Sequence, residues 1–199
     1  TNNDFQGAVS LTGGAIWVKD TNALNISSLS QPNNQALTLQ AGGALTLPAG
    51  LTAIDTGSAD LTLSSGTLFD PGIPLAGRNV SLTGSGGLTL SHSVSANANG
   101  AGTGNLTLVS TNNAIDASGL HSVLTVAGTT SVDAGTGTIT LSNTSNHFTG
   151  AVSLTGGASQ IVDANALTLG TVNTGDLIVA SHGALNLGNG TVTGTLNAN

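Results

Sequence analysis

The chain has 199 residues, of which 38% are hydrophobic, 2% are aromatic and 29 are glycine, so any core must consist of small aliphatic side chains. Only Lys19 and Arg78 are basic and the formal net charge is −7, which excludes a nucleic-acid partner on electrostatic grounds. The absence of cysteine excludes disulfides and thiolate metal sites, and no apolar run reaches the roughly 20 residues of a membrane-spanning helix.

A phrase of two aliphatic residues flanking Thr, Ser or Asn recurs from one end of the chain to the other. Because successive side chains of a strand point to opposite faces, each phrase predicts a short strand with both aliphatic side chains inside and the middle residue outside. The core predicted in this way consists of Val9, Leu11, Leu24, Leu37, Leu39, Leu61, Leu63, Leu88, Leu90, Leu106, Leu108, Ile139, Leu141, Val152, Leu154, Leu167, Leu169, Leu185 and Leu187.

The phrases are organised in repeats of two lengths. In the long repeat, residues 1–26 align without gaps with residues 144–169. In a much shorter repeat near the C-terminus, the stretch 167–170 (LTLG) returns as 185–188 (LNLG). The shorter repeat predicts a unit of about 18–20 residues, the size of one coil of a parallel β-helix. If both copies of the long repeat lie on one face, the offset between them must be a whole number of coils.

These patterns predict an all-β protein in which residues 1–199 form a single β-helix segment of a longer chain, a right-handed parallel β-helix (solenoid) of roughly ten coils of about 18–20 residues. Glycine pairs such as Gly13-Gly14 and Gly86-Gly87 are expected to supply positive φ angles at the corners. Two prolines mark residues 69–78 as a candidate protruding loop. Neither end shows an amphipathic helix or charge cluster as a cap, so we expect either a longer chain or end-to-end association.

The nine Asp residues are the main candidates for chemistry, because β-helix enzymes use two or three convergent carboxylates. No two of them lie within four residues of each other in the sequence. Two pairs could meet across a coil step, namely Asp55 with Asp60 and Asp116 with Asp133. A β-helix enzyme would bring such carboxylates together in a groove, whereas a structural role would leave them dispersed along the turns.

Asp20 and Asp163 occupy matching positions of the long repeat, which predicts a turn role in which the carboxylate accepts backbone N–H groups. The four histidines lack the i, i+2 or i+4 spacing typical of a zinc site. We therefore expect no catalytic, cofactor-binding or metal-binding residue and no cofactor. The outward Thr rows predict a soluble, β-favouring surface, with binding of ice or a glycan left open. Trp17, the single Trp, is interpreted as an exposed contact or as a plug near one end.

Three segments of the chain can be compared with known repeats: residues 3–11 (NDFQGAVSL), their copy 146–154 (NHFTGAVSL) and the tail 183–192 (GALNLGNGTV). These segments resemble the repeats of long exported adhesins of the filamentous haemagglutinin type, which are secreted by the two-partner route. The resemblance implies a right-handed β-helix on the outer surface of a Gram-negative bacterium, in which such repeats form the shaft and binding often resides elsewhere.

From this resemblance we expect a non-enzymatic, secreted shaft segment on the outer cell surface, which acts as a stiff spacer for surface attachment or for a matrix or biofilm. The partners left open are a glycan or protein of a host or bacterial surface, a matrix polysaccharide, and a second copy bound end to end. The alternative hypotheses are a carbohydrate-active β-helix enzyme and a self-assembling extracellular filament subunit.

Overall fold

The computed structural model describes residues 3–97 and 103–199, and the regular elements in both ranges are all strands, so no helix there could span a membrane. The first half of the chain contains β1 Val9–Thr12, β2 Ile16–Asp20, β3 Leu24–Ser30, β4 Leu37–Ala41, β5 Leu45–Thr46, β6 Ile54–Asp55, β7 Leu61–Ser65, β8 Leu75–Gly77, β9 Val80–Gly84, β10 Leu88–Thr89, β11 Val94–Ala96 and β12 Leu106–Val109. The second half contains β13 Ile115–Asp116, β14 Leu124–Val126, β15 Thr130–Asp133, β16 Ile139–Leu141, β17 His147–Phe148, β18 Val152–Thr155, β19 Ser159–Asp163, β20 Leu167–Thr174, β21 Leu177–Ser181, β22 Leu185–Asn186, β23 Asn189–Val192 and β24 Leu196–Ala198.

Strands one coil apart pair in parallel and stack into sheets along the molecule. The long sheet has the order β2-β4-β7-β9-β12-β15-β18-β20-β22, and β23 also pairs with β20. The second sheet is β10-β13-β16-β19-β21-β24, the third sheet is β6-β8-β11-β14-β17, and β1-β3-β5 form a short sheet at the N-terminal end. A coil passes through the long, second and third sheets in turn, as β12, β13 and β14 do before β15 begins the next coil. The predicted fold class, a parallel β-solenoid, is therefore confirmed, with about nine coils rather than ten.

Coil length varies more widely than the sequence repeats predict. Along the long sheet Val80 pairs with Leu106, whereas Val152 pairs with Leu169, so the first of these coils is half as long again as the second. The predicted unit of about 18–20 residues describes the shorter coils, such as the one from Leu61 to Val80, whereas the coil from Leu37 to Leu61 is longer. The ladders fix the strands, and the turns between them absorb the additional residues.

A continuous cluster of aliphatic side chains fills the interior of the solenoid. Fifteen of the predicted core residues are buried: Leu24, Leu37, Leu39, Leu61, Leu63, Leu88, Leu90, Leu106, Leu108, Ile139, Leu141, Val152, Leu154, Leu167 and Leu169. Val9, Leu11 and Leu185 are only partly buried, because they lie in the terminal coils of the described chain. The prediction that Leu187 lies in the core is wrong: it is 39% exposed, because it lies in the last coil of the described chain and no described coil packs on its outer side.

The two copies of the long repeat have equivalent local pairing but lie on different faces. Val9 of β1 pairs with Ile26 of β3, and the copy, Val152 of β18, pairs with Leu169 of β20. However, β2 belongs to the long sheet whereas its copy β19 belongs to the second sheet. The long sheet advances six coils from β2 to β18, so the offset equals six coils plus one face. The two copies therefore do not share a face, which is the condition for an offset of a whole number of coils, because the repeat encodes strands and corners that fit more than one face.

Close approach between coils, rather than positive φ, explains many of the corner glycines. A Cβ on Gly42 would overlap the carbonyl oxygen of Thr21, and a Cβ on Gly137 would overlap that of Asn113. In the predicted glycine pairs at 13–14 and 86–87, only Gly87 has a positive φ, of 126°. Glycine is therefore required at these corners because there is no room for a side chain between stacked backbones.

Asparagine side chains join successive coils at other corners. The Oδ1 atom of Asn112 accepts a hydrogen bond from the Thr136 N–H at 3.0 Å, and Asn34 accepts one from the Ser58 N–H at 2.9 Å. Both asparagines have left-handed backbone, with φ of 57° and 61°, a conformation that Asn tolerates better than most residues. Gly135, which precedes the donor in the first case, has a φ of +58°, and a Cβ there would overlap the Asn112 amide oxygen.

The segment 69–78 is not a protruding loop, in contrast to the prediction. Phe69 is 2% exposed and forms a parallel bridge with Leu88, and residues 75–77 form β8. The connection between them contains both prolines, Pro71 and Pro74, outside the paired strands. The chain therefore continues its coil through this segment, because the apolar Phe69 ring belongs to the core.

Candidate functional site

Four of the Asp carboxylates close turns of the solenoid. The Oδ1 atom of Asp133 accepts a hydrogen bond from the N–H two residues further on at 2.9 Å, and Asp55, Asp70 and Asp116 form the same bond at 2.7–2.9 Å. In this Asx turn the side chain replaces a backbone acceptor and fixes the corner. Each of these carboxylates therefore has a structural partner.

The carboxylate shared by the two copies of the long repeat is buried. Asp163 is 0% exposed and accepts hydrogen bonds from the Phe148 N–H at 3.1 Å and from the Asn165 N–H at 2.9 Å. Asp20, 1% exposed, accepts the equivalent two bonds in the first copy at 3.3 and 3.4 Å. Backbone donors thus replace the water that each carboxylate loses on burial. The group serves the turn, as its place in the repeat predicts.

An ion pair near the start of β9 involves one of the two basic residues. Arg78 donates from Nε and Nη2 to the two carboxylate oxygens of Asp60 at 2.9 and 3.0 Å, and the Asn79 amide donates to Oδ1 at 2.9 Å. The Arg78 guanidinium lowers the pKa of Asp60 below its ordinary value, and the carboxylate raises the pKa of Arg78. Because both side chains are nearly half exposed, water screens the pair and its contribution to stability is small.

The two pairs of carboxylates that could have met across a coil step lie in different sheets. Asp55 ends β6 of the third sheet, whereas Asp60 precedes β7 of the long sheet. Asp116 lies in the second sheet and Asp133 in the long sheet. Within residues 3–97 and 103–199, no group of three or more His, Asp or Glu side chains is arranged to hold a metal ion.

The structure brings together His92 and His121, which are separated in the sequence by more than one predicted unit. Their rings stack with centroids 6.3 Å apart and planes inclined by 23°. The Ser91 hydroxyl donates to the Asp70 carboxylate at 3.0 Å and lies 3.0 Å from Nδ1 of His92. This order differs from a hydrolytic triad, in which the imidazole lies between the carboxylate and the hydroxyl. Leu120, adjacent to His121, is 92% exposed.

A row of outward side chains follows one register position along the long sheet. It begins with Trp17 on the edge strand β2 and continues through hydroxyl residues alone: Thr38, Thr62, Ser81, Thr107, Ser131 and Ser153. Other predicted outward threonines do not join this row, since Thr89 and Thr140 lie in the second sheet. Trp17 is 61% exposed, which excludes the interpretation as a plug.

A shallow depression of about 460 Å³ lies at the corner that follows the long sheet near the C-terminal end. Its lining has no titratable side chain and consists of Gly135, Thr136, Gly156, Gly157, Asn173, Thr174, Gly175, Thr191 and Thr193. Such a surface offers hydroxyl, amide and backbone groups but no acid, base or nucleophile of lowered pKa. It therefore lacks the groups that general acid–base catalysis requires.

Residues 77–155 match the model of a family described as repeats of unknown function (DUF5649). This stretch is similar to that family's repeats. It covers less than half of the chain and contains four successive strands of the long sheet, β9, β12, β15 and β18. Neither the curated proteins nor the solved structures contain a match to the chain. The comparison thus agrees with the repetitive architecture and assigns no activity to it.

Proposed function

We propose that this chain is a structural shaft segment of a large exported bacterial adhesin, where it acts as a stiff spacer for surface attachment or for a matrix. The observation that carries the proposal is the long sheet, in which a strand of each coil pairs with the strand of the next. At about 4.8 Å between paired strands, nine coils form a rod about 40 Å long. Such a rod holds whatever is attached to its two ends at a fixed separation.

The use of the charged residues supports a non-enzymatic role. Two carboxylates are buried under backbone donors, four close turns, and one is paired with Arg78. Asp176 accepts a hydrogen bond from the Thr195 N–H at 2.7 Å, and Asp4 accepts one from the Asn22 amide at 2.9 Å. Dispersal along the turns, rather than convergence in a groove, is the pattern expected for a structural solenoid. It counts against the hypothesis of a carbohydrate-active enzyme.

Location can be tested with antibodies raised against the folded chain. On the cells that produce it, the antibodies should bind without permeabilisation, and permeabilisation should not raise the signal. An antibody against a cytoplasmic protein of the same cells provides the control for intact envelopes. Labelling that appears only after permeabilisation would contradict an exported shaft.

The spacer role can be tested with the isolated chain immobilised on beads. A spacer has no ligand of its own, so the coated beads should be retained on host cells or matrix polysaccharide no better than beads coated with an unrelated β-solenoid. Small-angle scattering of the free chain should give a maximum dimension no shorter than the rod length of about 40 Å. Specific retention that a soluble competitor abolishes would show that the chain binds a ligand and is not only a spacer.

A further inference from the structure

Two histidines meet at the corner between the second and third sheets. His92 lies between β10 and β11, and His121 lies at the same corner of the next coil, between β13 and β14. Their ring centroids are 6.3 Å apart and the ring planes are inclined by 23°. The equivalent corners of the preceding and following coils, residues 70–74 and 142–146, contain no histidine. The pair therefore connects two successive coils only.

The hydrogen bonds around His92 determine which of its ring nitrogens is free. The Ser91 hydroxyl donates its single proton to the Asp70 carboxylate at 3.0 Å, because an ionised carboxylate only accepts. The same hydroxyl oxygen lies 3.0 Å from Nδ1 of His92 and must accept there, so Nδ1 carries the ring proton. The neutral imidazole then has its lone pair on Nε2, the atom with which it can bind a metal ion.

This arrangement is the one that metal-binding histidines have in proteins. They donate the N–H of the other ring nitrogen to a carboxylate or another acceptor, which fixes the tautomer and the orientation of the ring. His92 does so through Ser91 to Asp70. His147 has the opposite arrangement, because its Nδ1 accepts a hydrogen bond from the Asn165 amide at 2.7 Å. The ring proton of His147 therefore lies on Nε2, and its lone pair is already used within the protein.

Hydrogen bonds between coils hold the backbone that carries the two histidines. Ser122, which follows His121 and is 0% exposed, donates its hydroxyl to the Leu90 carbonyl of the preceding coil. From the following coil, the Asn143 amide donates to the Gly119 carbonyl at 2.8 Å. The two Cα positions are therefore fixed, whereas the exposed His121 side chain is able to rotate.

We infer that His92 and His121 bind one divalent transition-metal ion that prefers imidazole, such as Zn²⁺ or Cu²⁺, and that the ion clamps two successive coils together. With metal–nitrogen bonds of about 2.0–2.1 Å, the centroids of two imidazoles on one ion lie at most about 6.5 Å apart. The separation of 6.3 Å lies within this limit, and rotation of His121 reduces it to the roughly 5 Å of a tetrahedral site. Water fills the remaining coordination positions.

The spacing of the histidines in the sequence does not reveal this site, because the two residues are neighbours only across a coil. The sequence analysis therefore predicts no metal-binding residue, and the inference departs from that expectation. It does not depend on the adhesin proposal.

Calorimetric titration of the folded chain with ZnCl₂ tests the site directly. One ion should bind per chain, and His92→Ala or His121→Ala should abolish this binding. The matched controls are His147→Ala and His182→Ala, which should retain it. CuCl₂ should bind more tightly than ZnCl₂, and MgCl₂ should not bind. Equal loss or equal retention of Zn²⁺ binding in His121→Ala and His147→Ala, both folded by circular dichroism, would overturn the inference.

The tautomer of His92 can be tested without metal. Nitrogen NMR of the imidazoles should show the proton on Nδ1 of His92 and on Nε2 of His147. Ser91→Ala removes the acceptor of the Nδ1 proton and should lower the Zn²⁺ affinity about tenfold or more. Ser118→Ala, at the corner of His121, should leave the affinity unchanged. A proton on Nε2 of His92 in the unaltered chain would contradict the proposed geometry.

The clamp itself is tested by urea denaturation with and without saturating ZnCl₂. Because the ion joins two coils of the folded state, it should raise the urea midpoint of the unaltered chain. It should not raise the midpoint of His121→Ala. The same increase in both proteins would show that Zn²⁺ stabilises the solenoid elsewhere than between these two histidines.

Discussion

The contribution of the buried carboxylate of the long repeat to stability can be tested quantitatively, because the repeat occurs twice. Asp163 lies in an interior coil, and its equivalent Asp20 lies in the first coil. Asp163→Ala removes the acceptor of two backbone N–H groups, of which that of Phe148 is buried. Hydrogen bonds to a charged group contribute about 1.5–3 kcal/mol each, partly offset because a buried charge is also removed, so we expect a loss of about 3 kcal/mol. Asp20→Ala removes longer bonds in a partly uncovered coil and should cost about 1 kcal/mol.

The loss of stability in Asp163→Ala is measured by urea denaturation, with circular dichroism reporting the unfolding of the whole solenoid. The control is Asp133→Ala, which removes one exposed turn hydrogen bond and should cost under about 1 kcal/mol. Trp17 fluorescence reports the first coil alone, so Asp20→Ala should move the fluorescence transition ahead of the circular dichroism transition. Equal midpoints for Asp163→Ala and Asp133→Ala would show that burial and the two backbone donors do not determine the role of this carboxylate.

Two further predictions concern the corners and the ion pair. Gly135→Ala should destabilise the fold by about 1–3 kcal/mol, because a φ of +58° must hold a Cβ that overlaps the Asn112 amide oxygen. Gly50→Ala, whose Cβ would meet no atom within 4 Å, should change stability by less than about 0.5 kcal/mol, and similar denaturation midpoints for the two variants would refute the steric explanation. Arg78→Gln should raise the pKa of Asp60, as measured by NMR titration of its carboxyl group. Because the folded-state pKa of Asp60 is lowered, the ion pair stabilises the fold at neutral pH, and this contribution disappears as the pH falls below about 4. An unchanged Asp60 pKa in Arg78→Gln would show that Arg78 is not the cause of the lowered pKa.

The alternation of aliphatic and hydroxyl residues is sufficient to predict the fold class and the interior strands, because strand periodicity is a local property of the chain. Leu37 and Leu39, for example, are buried as their phrase predicts. Coil length is not predictable in the same way, since it depends on turns whose residues have no period. The rotation of the long repeat by one face is also not visible in the sequence. The same residues in both copies specify a strand and a corner but not the sheet to which the strand belongs.

The roles of the polar residues are predictable only where the sequence compares two copies. Asp20 and Asp163 can be assigned to a turn because they occur at matching positions of the repeat. The stacking of His92 on His121 requires knowledge of which residues face each other across a coil, and the step between them is longer than the predicted unit. The exposure of Leu187 reflects the end of the described chain, which no periodic pattern encodes.

The parallel ladders also determine how the molecule responds to tension. Their hydrogen bonds run along the axis, so a force that pulls the two ends apart acts on one coil at a time and peels it from its neighbour. The coil from Leu37 to Leu61, at roughly 3.3 Å per residue, releases roughly 80 Å of extended chain when it opens. Such a rod would keep a fixed length until the load exceeds what one ladder can bear, and above that load it would lengthen in discrete steps of one coil.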